Sequence, residues 1–113
     1  MPIEHREILL NEQEVVMAAT AFFRTRPADY PAGRILSAAG RATPDGPQVD
    51  VQVATAPDGE PRTVVLEGQP IIDLLTRFCH ENNIPIPRAG VKRVGIDGTT
   101  ISLKISLGDM EAR

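Results

Sequence analysis

The sequence predicts an α+β fold built from a β-α-β-β unit used twice, with six strands in a largely antiparallel sheet and two helices packed on one face. Three observations lead there. Residues from Ile8 onward align with residues from Val64 onward at an offset of 56, without gaps as far as Ile35 and Val91. Each half carries one helix-period apolar stripe. Each half also ends in a run that alternates apolar and polar residues, the mark of a strand with one covered and one wet face.

The elements follow in order. "REILL" (6–10) and "RTVVL" (62–66) are short β-rich runs. Helix-start signals come next. Asn11 or Gln13 can cap the first helix, and Glu14 stands three residues after Asn11 as a capping-box partner. In the second half Pro70 suits the first helical turn, where its missing N–H has no helical partner to lose. The stripes are Val15, Ala18, Ala19, Phe22 and Ile71, Leu74, Leu75, Phe78, both at the i, i+3, i+4, i+7 spacing of a buried face. Pro27 and Pro85 stop the helices.

Strands are then expected at roughly 34–42 and 91–96, each leading to an Asp-Gly pair, Asp45-Gly46 and Asp97-Gly98. After a length change of four residues, Val49, Val51 and Val53 fall over Ile101, Leu103 and Ile105. A third Asp-Gly, Asp58-Gly59, links the halves as a looser turn flanked by Pro57 and Pro61. The units run over approximately 5–56 and 61–107 of one domain, 1–113.

The totals bound the function. Net charge is −3, which gives no global basic field toward nucleic acid or a membrane surface. "MPIEHRE" carries charge at once, unlike a signal peptide, and no run approaches the ~18 apolar residues of a membrane span. A single cysteine forms no internal disulfide and fits a reduced, cytoplasmic setting. Ten arginines against two lysines, with frequent alanine and proline, point to a GC-rich bacterial source.

The stretch that begins "RFCHENNIPIPRAG" at Arg77 concentrates the reactive residue types. Cys79 and His80 are adjacent, so on a helix they project about 100° apart and cannot serve as nucleophile and base. Cys79 extends the apolar stripe late in its helix, where the dipole disfavours a thiolate, and it reads as a small buried hydrophobe. His80 reads as a surface residue near a helix C-terminus. A thiol-dependent enzyme or redox sensor at Cys79 is therefore the least favoured of three readings. One cysteine and two distant histidines offer no metal-ligand spacing, and the scattered glycines form no phosphate loop, so no cofactor is expected.

What both halves keep is a basic lean where helix passes to strand. Arg24, Arg26 and Arg34 mark it in the first half, and Arg77, Arg88, Lys92 and Arg93 in the second. Ile84 and Ile86 add apolar surface to the second corner, a composition common at protein contacts. The sequence thus points to a small soluble, non-enzymatic binding or adaptor module, a protein-interaction domain of a bacterial regulatory system. Arg88, Lys92 and Arg93 are its most prominent contact residues. Open sheet edges make a homodimer a further expectation. Nucleic-acid binding through the same basic corners is the main alternative. It is weakened by an aromatic content of three Phe, one Tyr and no Trp, which leaves few stacking platforms.

Overall fold

The computed structural model describes residues 4–55, 60–87 and 90–107. Eight elements follow one another: β1 (Glu4–Leu10), α1 (Glu12–Arg24), β2 (Arg34–Thr43), β3 (Gly46–Ala54), β4 (Arg62–Glu67), α2 (Gln69–Glu81), β5 (Val91–Asp97) and β6 (Thr100–Leu107). The β-α-β-β, β-α-β-β order matches the sequence expectation element by element. Arg88 and the Asp58-Gly59 turn lie outside the described residues.

All strand pairings are antiparallel. Where one six-stranded sheet was expected, the pairing gives two sheets of three strands, ordered β1-β6-β5 and β2-β3-β4. The division is reciprocal. Each sheet takes the hairpin of one half (β5–β6 or β2–β3) and the first strand of the other (β1 or β4). Each helix therefore leaves one sheet and delivers the chain to the other. Neither half contains a complete sheet of its own, so the two halves fold as one body around one core.

That core is where the apolar patterns converge. On α1 the buried residues are Val15, Ala18, Ala19, Phe22 and Phe23, and on α2 Ile71, Leu74, Leu75, Phe78 and Cys79. Every one of these pairs stands 56 residues apart. The strands add Val49, Val51 and Val53 from β3, with Ile101, Leu103 and Ile105 from β6. Burying each large apolar side chain contributes about 2 kcal/mol relative to leaving it in water. Three of the four aromatic residues belong to this interior, and the fourth is half-buried against it. Phe22, Phe23 and Phe78 are buried, and Tyr30 stacks on Phe23 with ring centroids 4.4 Å apart.

The helix starts differ. Asn11 Oδ1 accepts from the Glu14 N–H at 2.8 Å while Glu14 Oε1 accepts from the Asn11 N–H at 2.9 Å, a complete capping box. Helix α2 begins after Gly68, at φ 72°, with no side-chain cap and with Pro70 in its first turn.

The four-residue length difference has a simple location. Gly40 pairs with Val49 and Ile96 with Ile101, so these two rungs correspond. Beyond its rung the β2–β3 hairpin adds three more pairs (Arg41–Gln48, Ala42–Pro47, Thr43–Gly46), whereas β5–β6 adds only Asp97–Thr100. The first hairpin thus projects two rungs further.

The two sheets meet at the corresponding rungs. The Gly40 N–H donates to the Thr99 carbonyl at 3.2 Å. A Cβ on Gly40 would stand 2.7 Å from Ile96 Cδ1 and 2.9 Å from Ile101 Cγ1. Ile96 fills the space that the missing side chain of its counterpart leaves.

Two outcomes follow. Gly40→Val destabilises the protein by about 1–3 kcal/mol through overpacking, read by urea denaturation, and combining it with Ile96→Ala, which removes the opposing methyl groups, restores part of that loss. Asn11→Ala costs about 1 kcal/mol by removing the α1 cap, visible in the same measurement as a lower midpoint.

Candidate functional site

The structure separates the basic residues that the sequence groups together. Arg77 lies along α2 and pairs with Glu81 at 3.1 Å, an i,i+4 contact. Arg26 reaches from the end of α1 to Asp73 on α2 at 3.7 Å, and its guanidinium lies 4.8 Å from the centroid of the Phe22 ring. These two arginines hold helix to helix and turn to turn. Arg34 is exposed at the start of β2. Arg24 is exposed on the last turn of α1, beside a pocket of about 210 Å³ bordered by Phe23, Pro27, Tyr30 and Ile35.

Ile84 and Ile86 are half-buried and pack against the core. They reach it because the chain reverses tightly after α2. Asn83 takes φ 58°, and the Ile84 N–H donates back to the Cys79 carbonyl at 2.8 Å. Their apolar surface is thus largely spent inside the molecule.

Lys92 and Arg93 have a different setting. Together with Val94 they line a cleft of about 730 Å³ between the two sheets. The opposite wall is the projecting end of the β2–β3 hairpin (Asp45, Gly46, Pro47) and the passage from β4 into α2 (Glu67, Gly68, Gln69), with Ile72 of α2 adding apolar surface. Lys92, Arg93 and Val94 are consecutive, and side chains alternate faces along a strand. Three consecutive residues line one cleft when the cleft runs along the strand's edge. Among the described strands β5 pairs with β6 alone and stands at the edge of its sheet, with its main chain along the wall. The sheets pinch together at Gly40, Ile96 and Thr99 and part toward Lys92.

The far wall is braced by a side-chain ladder that sequence reading did not single out. Arg41 Nε donates to Asp50 Oδ2 at 2.8 Å and Arg41 Nη2 to Asp50 Oδ1 at 3.1 Å, a two-point contact. The same Nη2 donates to Gln48 Oε1 at 2.8 Å, and Gln48 Nε2 donates to Glu67 Oε2 at 2.9 Å. Asp50 raises the Arg41 pKa above its ordinary value, chiefly through this hydrogen bond. Arg41, Gln48 and Glu67 occupy one cross-strand row through β2, β3 and β4. The ladder is legible in sequence only once hairpin register is known.

Cys79 has no solvent-accessible surface. Burial pushes its thiol pKa up, against a smaller opposing pull from Arg6. A buried, protonated thiol is a poor nucleophile. His80 is exposed. Among the described residues, no group of three or more His, Cys, Asp or Glu side chains could hold a metal ion. No helix among them is long and apolar enough to cross a membrane.

With this arrangement in view, comparison with protein-family models, curated proteins and solved structures finds no match to the chain. Its chemistry is read from its own residues.

Cys79 provides a direct check on the site assignment. In native buffer at neutral pH it reacts with a maleimide or an aromatic disulfide at least about a hundredfold more slowly than in denaturant, followed by mass or absorbance. Rapid native labelling would mean an accessible, reactive thiol.

Proposed function

We propose that the chain is a small non-enzymatic binding module of the bacterial cytoplasm that docks a protein partner, and that it arose by tandem duplication of a β-α-β-β unit. The duplication reading draws on the burial pattern shared at one offset along both helices and on the same three-strand arrangement in both sheets. The binding reading is carried by a single observation: Lys92 and Arg93 stand on the wall of a cleft bounded by the edge strand of the β1-β6-β5 sheet, as ordered among the described strands. The cleft's volume is within the range of about 300–1,000 Å³ typical of ligand sites. Its walls combine apolar surface (Pro47, Ile72, Val94) with charge of both signs, the mixed chemistry of a protein contact.

Nucleic acid is the weaker reading because three of the four aromatic side chains are buried and the fourth, Tyr30, is half-buried and stacked on Phe23. Single-strand binders hold bases on exposed aromatic faces. The negative net charge adds no general attraction to phosphates.

Two measurements separate these readings. Fluorescently labelled single- and double-stranded oligonucleotides show no binding at about 50 mM salt. Binding there, falling steeply by about 200 mM, would favour the nucleic-acid reading. In capture from lysate of the native host, wild-type protein retains a partner that the Arg93→Glu variant releases. Equal capture by both proteins would remove this cleft from the contact surface.

A further inference from the structure

We propose that the pocket between the end of α1 and the start of β2 binds a small aromatic carboxylate, a single ring carrying one carboxyl group, with the ring against Phe23 and Tyr30 and the carboxylate on Arg24. This site lies apart from the cleft, and it stands or falls independently of the protein-binding reading.

The pocket forms because the chain folds back on the helix before it enters β2. The Arg26 N–H donates to the Phe23 carbonyl at 3.1 Å, and the N–H groups of Asp29 and Tyr30 donate to the Arg26 carbonyl at 3.0 and 3.1 Å. These bonds return Tyr30 to the helix, where its ring lies nearly parallel to that of Phe23, at 7° and 4.4 Å between centroids. Pro27 and Pro31 stiffen the connection by fixing φ. At its other end Gly33 packs against β3, where a Cβ would collide with the Ala54 carbonyl oxygen. The connection is held at both ends, so the pocket is shaped before a ligand arrives, and a preformed site costs less ordering on binding.

Its size and lining set the ligand class. The volume is about 210 Å³. An apolar cavity of about 150 Å³ holds one benzene molecule, so this pocket takes one ring with a short acid arm. Phe23, Tyr30, Pro27, Pro31 and Ile35 supply the apolar wall, and aromatic rings gain from offset or edge-to-face contact beyond the area they bury. Among the described residues that line the pocket, Arg24 alone is charged. It is exposed, and its guanidinium makes no ion pair among the described residues. A guanidinium holds a carboxylate by two parallel hydrogen bonds. Thr20 also borders the pocket, but its hydroxyl donates to the Val16 carbonyl at 2.8 Å, so Arg24 is the donor left for an anion. The surrounding charges do not cancel it. Arg26 is paired with Asp73, and Asp29 is exposed in the turn and stands outside the lining. Burial raises the Tyr30 phenol pKa, which keeps that wall neutral.

The chemistry belongs to one half of the chain. At the positions 56 residues after Phe23, Arg24, Pro27 and Tyr30 stand Cys79, His80, Asn83 and Ile86. The second corner thus has neither the aromatic pair nor the guanidinium at these places, and Cys79 and Ile86 pack with the core instead.

Titration of the full chain with phenylacetate, followed by proton NMR, tests the site. Tyr30 is the chain's one tyrosine, so its ring signals identify themselves. The expected result is a saturable shift of those signals with a Kd of about 1 mM or tighter. Phenylethyl alcohol, which keeps the ring without the charge, and hexanoate, which keeps the charge without the ring, each bind about fivefold or more weakly. Arg24→Gln, at an exposed position, brings phenylacetate to the level of the alcohol and leaves the alcohol unchanged. Arg62→Gln, exposed on β4, changes neither. No saturable shift up to about 10 mM, equal binding of the alcohol or of hexanoate, or full phenylacetate binding by Arg24→Gln would each overturn the proposal. None of these outcomes bears on lysate capture through Arg93, so the two readings fail separately.

Discussion

The reciprocal exchange of first strands is the constraint on which the rest depends. β1 leaves its own half to complete the sheet of β5 and β6, and β4 leaves its half to complete the sheet of β2 and β3. A two-stranded hairpin is marginal in water, and a third strand with a helix on its buried face makes a sheet stable. Each half therefore depends on the other for the strand that stabilises it. The helices enforce the exchange by carrying the chain from one sheet to the other, and their buried faces share one core. Given this interlocking, the sheets need only a small direct contact, and they have one: the Gly40–Thr99 hydrogen bond and the seating of Ile96 where Gly40 has no side chain.

The cleft arises where the two halves differ. A pair of identical hairpins would present the same profile to each other. Here the β2–β3 hairpin runs two rungs further, and its end stands opposite the β5 edge. The Arg41, Gln48 and Glu67 row, anchored by Asp50, holds that projecting wall in place with hydrogen bonds to charged groups, which are stronger than neutral ones. Under the proposed binding function, a wall braced in this way would lower the ordering cost of binding.

Much of the fold was legible in the sequence because the relevant signals are local. The stripes of Val15 to Phe22 and Ile71 to Phe78, the Asn11–Glu14 box, and the alternation along Val49–Val53 and Ile101–Ile105 are fixed by helix and strand periodicity. Strand partnership was not legible. Alternation tells which face of β1 is buried but is indifferent to whether β1 pairs with β2 or with β6, and the exchange is a choice of that kind. Gly40 read as an ordinary strand residue because the atoms that need its open space lie 56 and 61 positions away. Charge singles out Lys92 and Arg93, which line the cleft, and spacing places Cys79 inside, where it is buried. Arg26 and Ile86 were grouped with them because composition cannot distinguish a surface side chain from one turned to an ion pair or the core. The four-residue length change was visible from the start. That it builds a cleft wall required the register.

The most direct test of the interlocked architecture is native-state amide hydrogen exchange across all six strands as denaturant is raised. If each half is completed by the other, the paired amides of β1 and β4 open only with those of β6 and β3, in one global unfolding step of common free energy. Opening of β1-β6-β5 as a unit while β2-β3-β4 remains protected, or early release of β1 and β4 alone, would contradict the account.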